Sequence, residues 1–122
     1  MPSADQHRRK AEGNREFLAT ISLDDHPDWA VIAAFYTAVH LVERLRAASG
    51  DGDSNGHTDR LDYVQNRHPE IHGPYHILQS ASMLARYESY SNFYAQFDEH
   101  NIPERIFARL ELIESYLATR LE

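Results

Sequence analysis

The sequence predicts an all-α fold, a single up-down bundle of four to five helices over residues 1–122. Three observations carry this. Near the end of the chain, Ile102, Ile106, Leu110, Ile113, Leu117 and Leu121 recur at steps of four, four, three, four and four, which lines one face of a helix. Residues 27–48 are so rich in apolar side chains that well over half the circumference of a helix there is apolar, as a central bundle helix requires. No stretch of useful length alternates apolar and polar residues as a half-buried strand does, and no internal repeat is visible.

Each element follows from local signals. The first helix is expected over residues 4–20, with Ala11, Asn14, Phe17, Leu18 and Ile21 toward one side and Gly13 as a mild weakness. Residues 23–28 supply turn chemistry, and Pro27 is placed to open the next helix, where its missing N–H costs nothing. That second helix is expected over residues 27–48. Trp29, Ala33, Tyr36 and His40 form one stripe, Ile32, Phe35, Val39, Val42 and Leu45 widen it, and Glu43, Arg44 and Arg46 are expected to reach water. Residues 49–56 hold no apolar anchor and read as an exposed, mobile loop. Their aspartates lack the ligand spacing and the closing glutamate of a calcium loop. A short third helix is expected from residue 57 or 58 to 66, with Leu61 and Val64 inward. His68-Pro69 ends it, because the residue before a proline is pushed out of the helical region. Gly73-Pro74 opens a fourth helix over residues 74–88, with Ile77, Leu78, Ala81, Met83, Leu84 and Ala85 on its buried side. Residues 89–100 carry Tyr90, Phe93, Tyr94 and Phe97, but neither cap nor period fixes their backbone. The last helix is expected over residues 103–121, its outer face carrying Glu104, Arg105, Arg109, Glu111, Glu114 and Arg120.

Composition bounds the function. No apolar run approaches the roughly 20 residues that cross a bilayer. No apolar stretch follows a basic one near the first residues, so a secretory leader is not expected and the cytoplasm is the expected compartment. The absence of cysteine excludes disulfides, thiol nucleophiles and Cys-ligated zinc. A formal net charge of −7 speaks against a general nucleic-acid coat, which needs a broad basic surface, and leaves room for positive charge confined to one groove. Eight histidines make that charge sensitive to pH below about 7.

Polar residues at apolar helix positions are the candidates for chemistry. His40, one turn after Tyr36, is a core histidine with a hydrogen-bond partner, a groove histidine that moves a proton or touches RNA or a nucleotide, or a metal ligand. His57 and Arg60 lie three apart and share a helix face. Arg86, followed by Tyr87, sits among Met83, Leu84 and Ala85, where an arginine needs a carboxylate or a π partner. It is either a structural ion pair or an anion receptor, since a guanidinium stays charged and bonds phosphate through two parallel donors. Arg67 and His72 stand with four residues between them. Metal-free RNA cleavage needs one group to move protons and another to stabilise the phosphorane, and such a pair supplies both; a solvated helix–loop junction is the other reading. His68, His72 and His76 step by four, but Pro69 and Gly73-Pro74 are expected to break any shared helix, so no metal is assigned. No Gly-rich phosphate loop or nucleophile elbow is present, and no cofactor is expected.

Taken in order, Phe35-Tyr36-x-x-x-His40, a loop, His57-x-x-Arg60, Tyr75-x-x-Leu78 and Ser82-x-x-Ala85-Arg86-Tyr87 resemble the HEPN-like helical proteins, over about residues 28–87. The resemblance implies an α-helical bundle, commonly a homodimer. It implies one of two functions. The first is a toxin or defence effector that cleaves RNA without metal through an arginine and a histidine four to six residues apart, near a dimer cleft. Arg67 and His72 are the matching pair, with Tyr36, His40, His57, Arg60, Arg86 and Tyr87 supporting, and a cognate antitoxin as partner. The second is a non-catalytic module that binds RNA or a partner protein, often beside a nucleotidyltransferase. The pair departs from the family's usual pattern in straddling a proline-interrupted turn, and in having His68 where a different polar residue often follows the arginine. A metal-dependent helical-bundle enzyme of the DinB-like kind is a third reading, resting on the histidine count alone.

Overall fold

The computed structural model describes residues 2–87 and 90–121. Among these are six α-helices and no strand: α1 (Ala4–Thr20), α2 (Pro27–Ala48), α3 (His57–Arg67), α4 (His72–Tyr87), α5 (Tyr90–Gln96) and α6 (Ala108–Leu121). A single 3₁₀ turn, Pro69–Ile71, joins α3 to α4, and a π-helical turn, Pro103–Phe107, runs into α6. None of these helices is long and apolar enough to cross a membrane.

α2 is the centre. Ala30, Val31, Ala34, Phe35, Ala38 and Val42 are completely buried along it, and α1, α4 and α6 all pack on it. Its alanines let neighbours approach from several sides, and its large residues fill the space between them. The π-helical turn and α6 together carry the stripe the sequence announces: Ile102, just before the turn, Ile106, Leu110, Ile113 and Leu117 are all buried. Each side chain of this size adds about 1.5–3 kcal/mol relative to an exposed one. α1 is fixed at its start by a reciprocal cap. The Ser3 hydroxyl accepts from the Gln6 N–H at 3.1 Å, and the Gln6 side-chain oxygen accepts from the Ser3 N–H at 2.7 Å.

The structure departs from the sequence pattern in several places, each with a physical reason. The inward line of α1 is His7, Ala11 and Leu18, so Phe17, one step round the helix, is 54% exposed. Trp29 heads the expected stripe of α2 but is also 54% exposed, because it lies in the first turn. In α4 the buried residues are Tyr75, Leu78, Ala81 and Ser82, a narrower face that leaves Ile77 and Met83 exposed. α4 also starts at His72 rather than at residue 74. Pro74 is then its third residue, where a backbone N–H has no helical partner anyway, so the proline does not break it. The expected end of this helix at residue 88 and the start of the ambiguous stretch at residue 89 lie outside the described residues. The remainder of that stretch contains α5, whose Phe93 is buried, with Phe97 buried just beyond it. The π-helical turn goes unseen in the pattern because Ile102, Ile106 and Leu110 keep their step of four across it.

Candidate functional site

On one face of α2, Tyr36, His40 and Glu43 follow one another at steps of four and three. Glu43 does not reach water as expected; it is only 4% exposed. Its Oε1 accepts from Arg60 Nε at 2.7 Å, and its Oε2 from the Ser54 N–H at 3.3 Å. Burial works to raise the Glu43 carboxyl, but the hydrogen bonds from Ser54 and Arg60 and the charge of Arg60 outweigh it and hold the group below its ordinary range. Arg60 is itself buried, and it reaches Glu43 because α3 begins at His57 and turns that face toward α2.

From this ion pair a chain of contacts runs toward α4. Arg60 Nη1 donates to His57 Nδ1 at 2.9 Å. An arginine can only donate, so His57 Nδ1 is unprotonated and the ring carries its proton on Nε2. Burial first, then the charges of Arg60 and Arg86, lowers the His57 pKa and favours this neutral form. The His57 ring lies 5.3 Å from the Phe35 ring and 6.2 Å from that of Tyr36. Tyr75, fully buried, packs against Phe35, and its hydroxyl has no hydrogen-bond partner of good geometry; burial pushes its pKa up to about 12 against the pull of the nearby Arg60.

Arg86 closes the cluster on the α4 side. Its Nη1 donates to the Tyr36 hydroxyl at 2.7 Å and to the Tyr87 hydroxyl at 3.3 Å, and its Nε donates to the Ser82 carbonyl at 3.3 Å. Its guanidinium carbon lies 4.7 Å from the Tyr87 ring centre, 5.4 Å from that of Tyr36 and 5.7 Å from that of Phe35. No carboxylate among the described residues pairs with it, and Nη2 makes no hydrogen bond to them. Among the described residues, the charge is thus held in place by neutral groups. The adjoining Tyr87 ring is 73% exposed.

On the other side, His40 Nδ1 meets His7 Nδ1 at 3.1 Å, with the rings 5.4 Å apart, and His7 Nε2 lies 3.4 Å from Asp53 Oδ1. Burial, then the neighbouring His7, lowers the His40 pKa. Asp53 and Ser54 bring the glycine-rich loop onto α1 and α2. Its middle is thus anchored by side chains, where the sequence suggested a loop without anchors.

The structure thus assembles Tyr36, His40, His57, Arg60, Arg86 and Tyr87. It does not join Arg67 to His72 by any hydrogen bond or ring contact. Arg67, 57% exposed, reaches Asp51 at 3.5 Å and the Tyr63 ring at 5.8 Å, and His72 stacks parallel to His76 at 5.9 Å. Sequence reasoning missed Glu43, His7 and Asp53. Only Glu43 left a signal, lying three residues after His40 on the same face.

At the Arg86 edge Tyr87 is exposed. A groove of about 560 Å³ between α1, α2 and α6 is lined by Arg8, Arg15, Arg44 and Glu114 among others and does not reach this edge. The edge offers hydrogen-bond donors and an aromatic face, and its histidine has given up its free acceptor to Arg60. Compared with protein-family models, curated proteins and solved structures, the chain matches none.

Proposed function

We propose that the chain is a non-catalytic, HEPN-like bundle module that binds single-stranded RNA on the edge formed by Tyr36, His57, Arg86 and Tyr87. The observation that carries this is Arg86: a guanidinium held among three aromatic rings with no carboxylate partner among the described residues. Such a group takes a phosphate oxygen without first breaking an ion pair. The exposed Tyr87 ring beside it is a platform for one base, a contact worth about 1–3 kcal/mol by alanine substitution. Because the edge rests on one cation, Arg86, the binding is weak and shallow in salt, which agrees with a net charge of −7.

Cleavage through Arg67 and His72 has less behind it, since the two make no contact and Arg67 is paired with Asp51. One experiment separates the readings. A labelled single-stranded RNA is titrated with the protein in EDTA and followed by anisotropy, and the RNA is then run on a denaturing gel. The module binds the RNA, Arg86→Ala weakens binding about tenfold or more, and the RNA stays intact. RNA shortened by the protein but not by His72→Ala establishes the nuclease instead.

The module is also proposed to work as a homodimer. Ile77 and Met83 leave the outer side of α4 partly apolar, at 37% and 47% exposure. Light scattering is expected to give twice the chain mass, and Met83→Glu to shift it toward the monomer. A wild-type monomer at all concentrations rules the dimer out.

A further inference from the structure

We infer that His7, Glu43 and Asp53 form a binding site for one first-row divalent cation, with His40 as the outer partner of His7. The three residues come from α1, α2 and the glycine-rich loop, and one ligand atom from each lies within 4.8 Å of the other two. A zinc centre with bonds of about 2.0–2.2 Å spaces tetrahedral ligand atoms about 3.3–3.6 Å apart. His7 Nε2 and Asp53 Oδ1, at 3.4 Å, already stand at that spacing. Glu43 lies within 4.8 Å of both, so a closure of at most about 1.5 Å brings it to the same geometry. Its Oε2 is the oxygen free to do so, because Oε1 holds Arg60 at 2.7 Å while Oε2 has only the Ser54 N–H at 3.3 Å.

The second shell is also in place. A metal on His7 Nε2 leaves the ring proton on Nδ1, and that atom is 3.1 Å from His40 Nδ1, which accepts it. Metal-bound histidines characteristically donate their other N–H in this way, which fixes the tautomer and the ring angle. His7 and Glu43 are buried at 6% and 4% exposure, whereas the Asp53 side chain is 33% exposed, so the site is shielded but reachable. A groove of about 410 Å³ reaches His7 and His40 from solvent. One nitrogen and two carboxylates leave a fourth position for water or an oxygen ligand, the pattern of an open site. The two carboxylates and Arg60 sum to one negative charge before the metal enters, so the cation is neutralised in part and not repelled.

The test uses untagged full-length protein, stripped with EDTA, dialysed and titrated with Zn²⁺ by calorimetry. The expected result is one equivalent bound at micromolar concentration or tighter, with a rise in Tm. Asp53→Asn and His7→Gln each weaken binding at least about tenfold, while His76→Ala, which dismantles the neighbouring histidine pair on α4, leaves it unchanged. Circular dichroism shows that each variant is folded, and Asp53→Asn, altering a part-exposed loop residue, is the variant least prone to unfolding. No binding to the folded wild type overturns the proposal. Binding that survives both Asp53→Asn and His7→Gln, or that disappears with His76→Ala, overturns it equally.

Discussion

Glu43 shows how one residue changes the reading of the whole cluster. A glutamate at 4% exposure is tolerated only with its charge paired and its oxygens bonded, and Arg60 and the Ser54 N–H do both. Removing one member leaves the other charged and buried. Glu43→Ala is therefore expected to cost about 3–5 kcal/mol in urea denaturation, while Glu43→Leu combined with Arg60→Met costs far less, because both charges go together. A loss under about 1 kcal/mol for the single variant contradicts the pairing. Glu43 was half legible: its place three residues after His40 marks the inward face. The partner was not, because Arg60 lies 17 residues on, across a loop whose path the sequence does not fix. His7 and Asp53 were hidden for the same reason.

At the scale of elements, the joint between α3 and α6 carries a pH dependence. His68, just after α3, is hydrogen-bonded through Nδ1 to the Tyr116 hydroxyl on α6 at 2.7 Å, and its ring stands edge-on to Tyr63 and Tyr116. Burial first, then Arg120 and Arg67, lowers its pKa, while Glu70 and Asp51 oppose this more weakly. The folded chain thus binds a proton less readily than the unfolded one. The stabilisation from neutral His68 is complete above the ordinary histidine range near 6.5 and is lost as pH falls below it toward the folded value. His57, lowered in the same direction, adds to the slope. Tm is expected to fall between about pH 7 and 5, and His68→Gln to make that decline shallower. A flat profile over this range, or an unchanged slope in the variant, contradicts it. Helix bounds were legible at α1, at α2 and at the end of α6, whereas the expected start of the last helix at residue 103 falls on the π-helical turn. They failed at α4, where Pro74 reads as an opener but sits two residues inside, and at α5, where aromatic residues without a clean period leave the backbone undetermined.

For the whole molecule, the all-helical class was written in the spacing of apolar residues, because burial of a helix face constrains sequence periodically. The site was only partly written there. Tyr36, His40, His57, Arg60, Arg86 and Tyr87 stand in the sequence as separate short signals, and only packing on α2 brings them together. Arg67 and His72 have the more suggestive spacing, yet spacing along the chain does not make a contact across a turn. The central claim is that RNA is held at Arg86. It is tested most directly by mapping amide and Tyr or Arg side-chain shifts in NMR spectra as a short single-stranded RNA is added. The expected result is a set of shifts confined to Tyr36, His57, Arg86, Tyr87 and their immediate neighbours, lost in Arg86→Ala. Shifts centred on Arg67 and His72, or none at saturating RNA, contradict it.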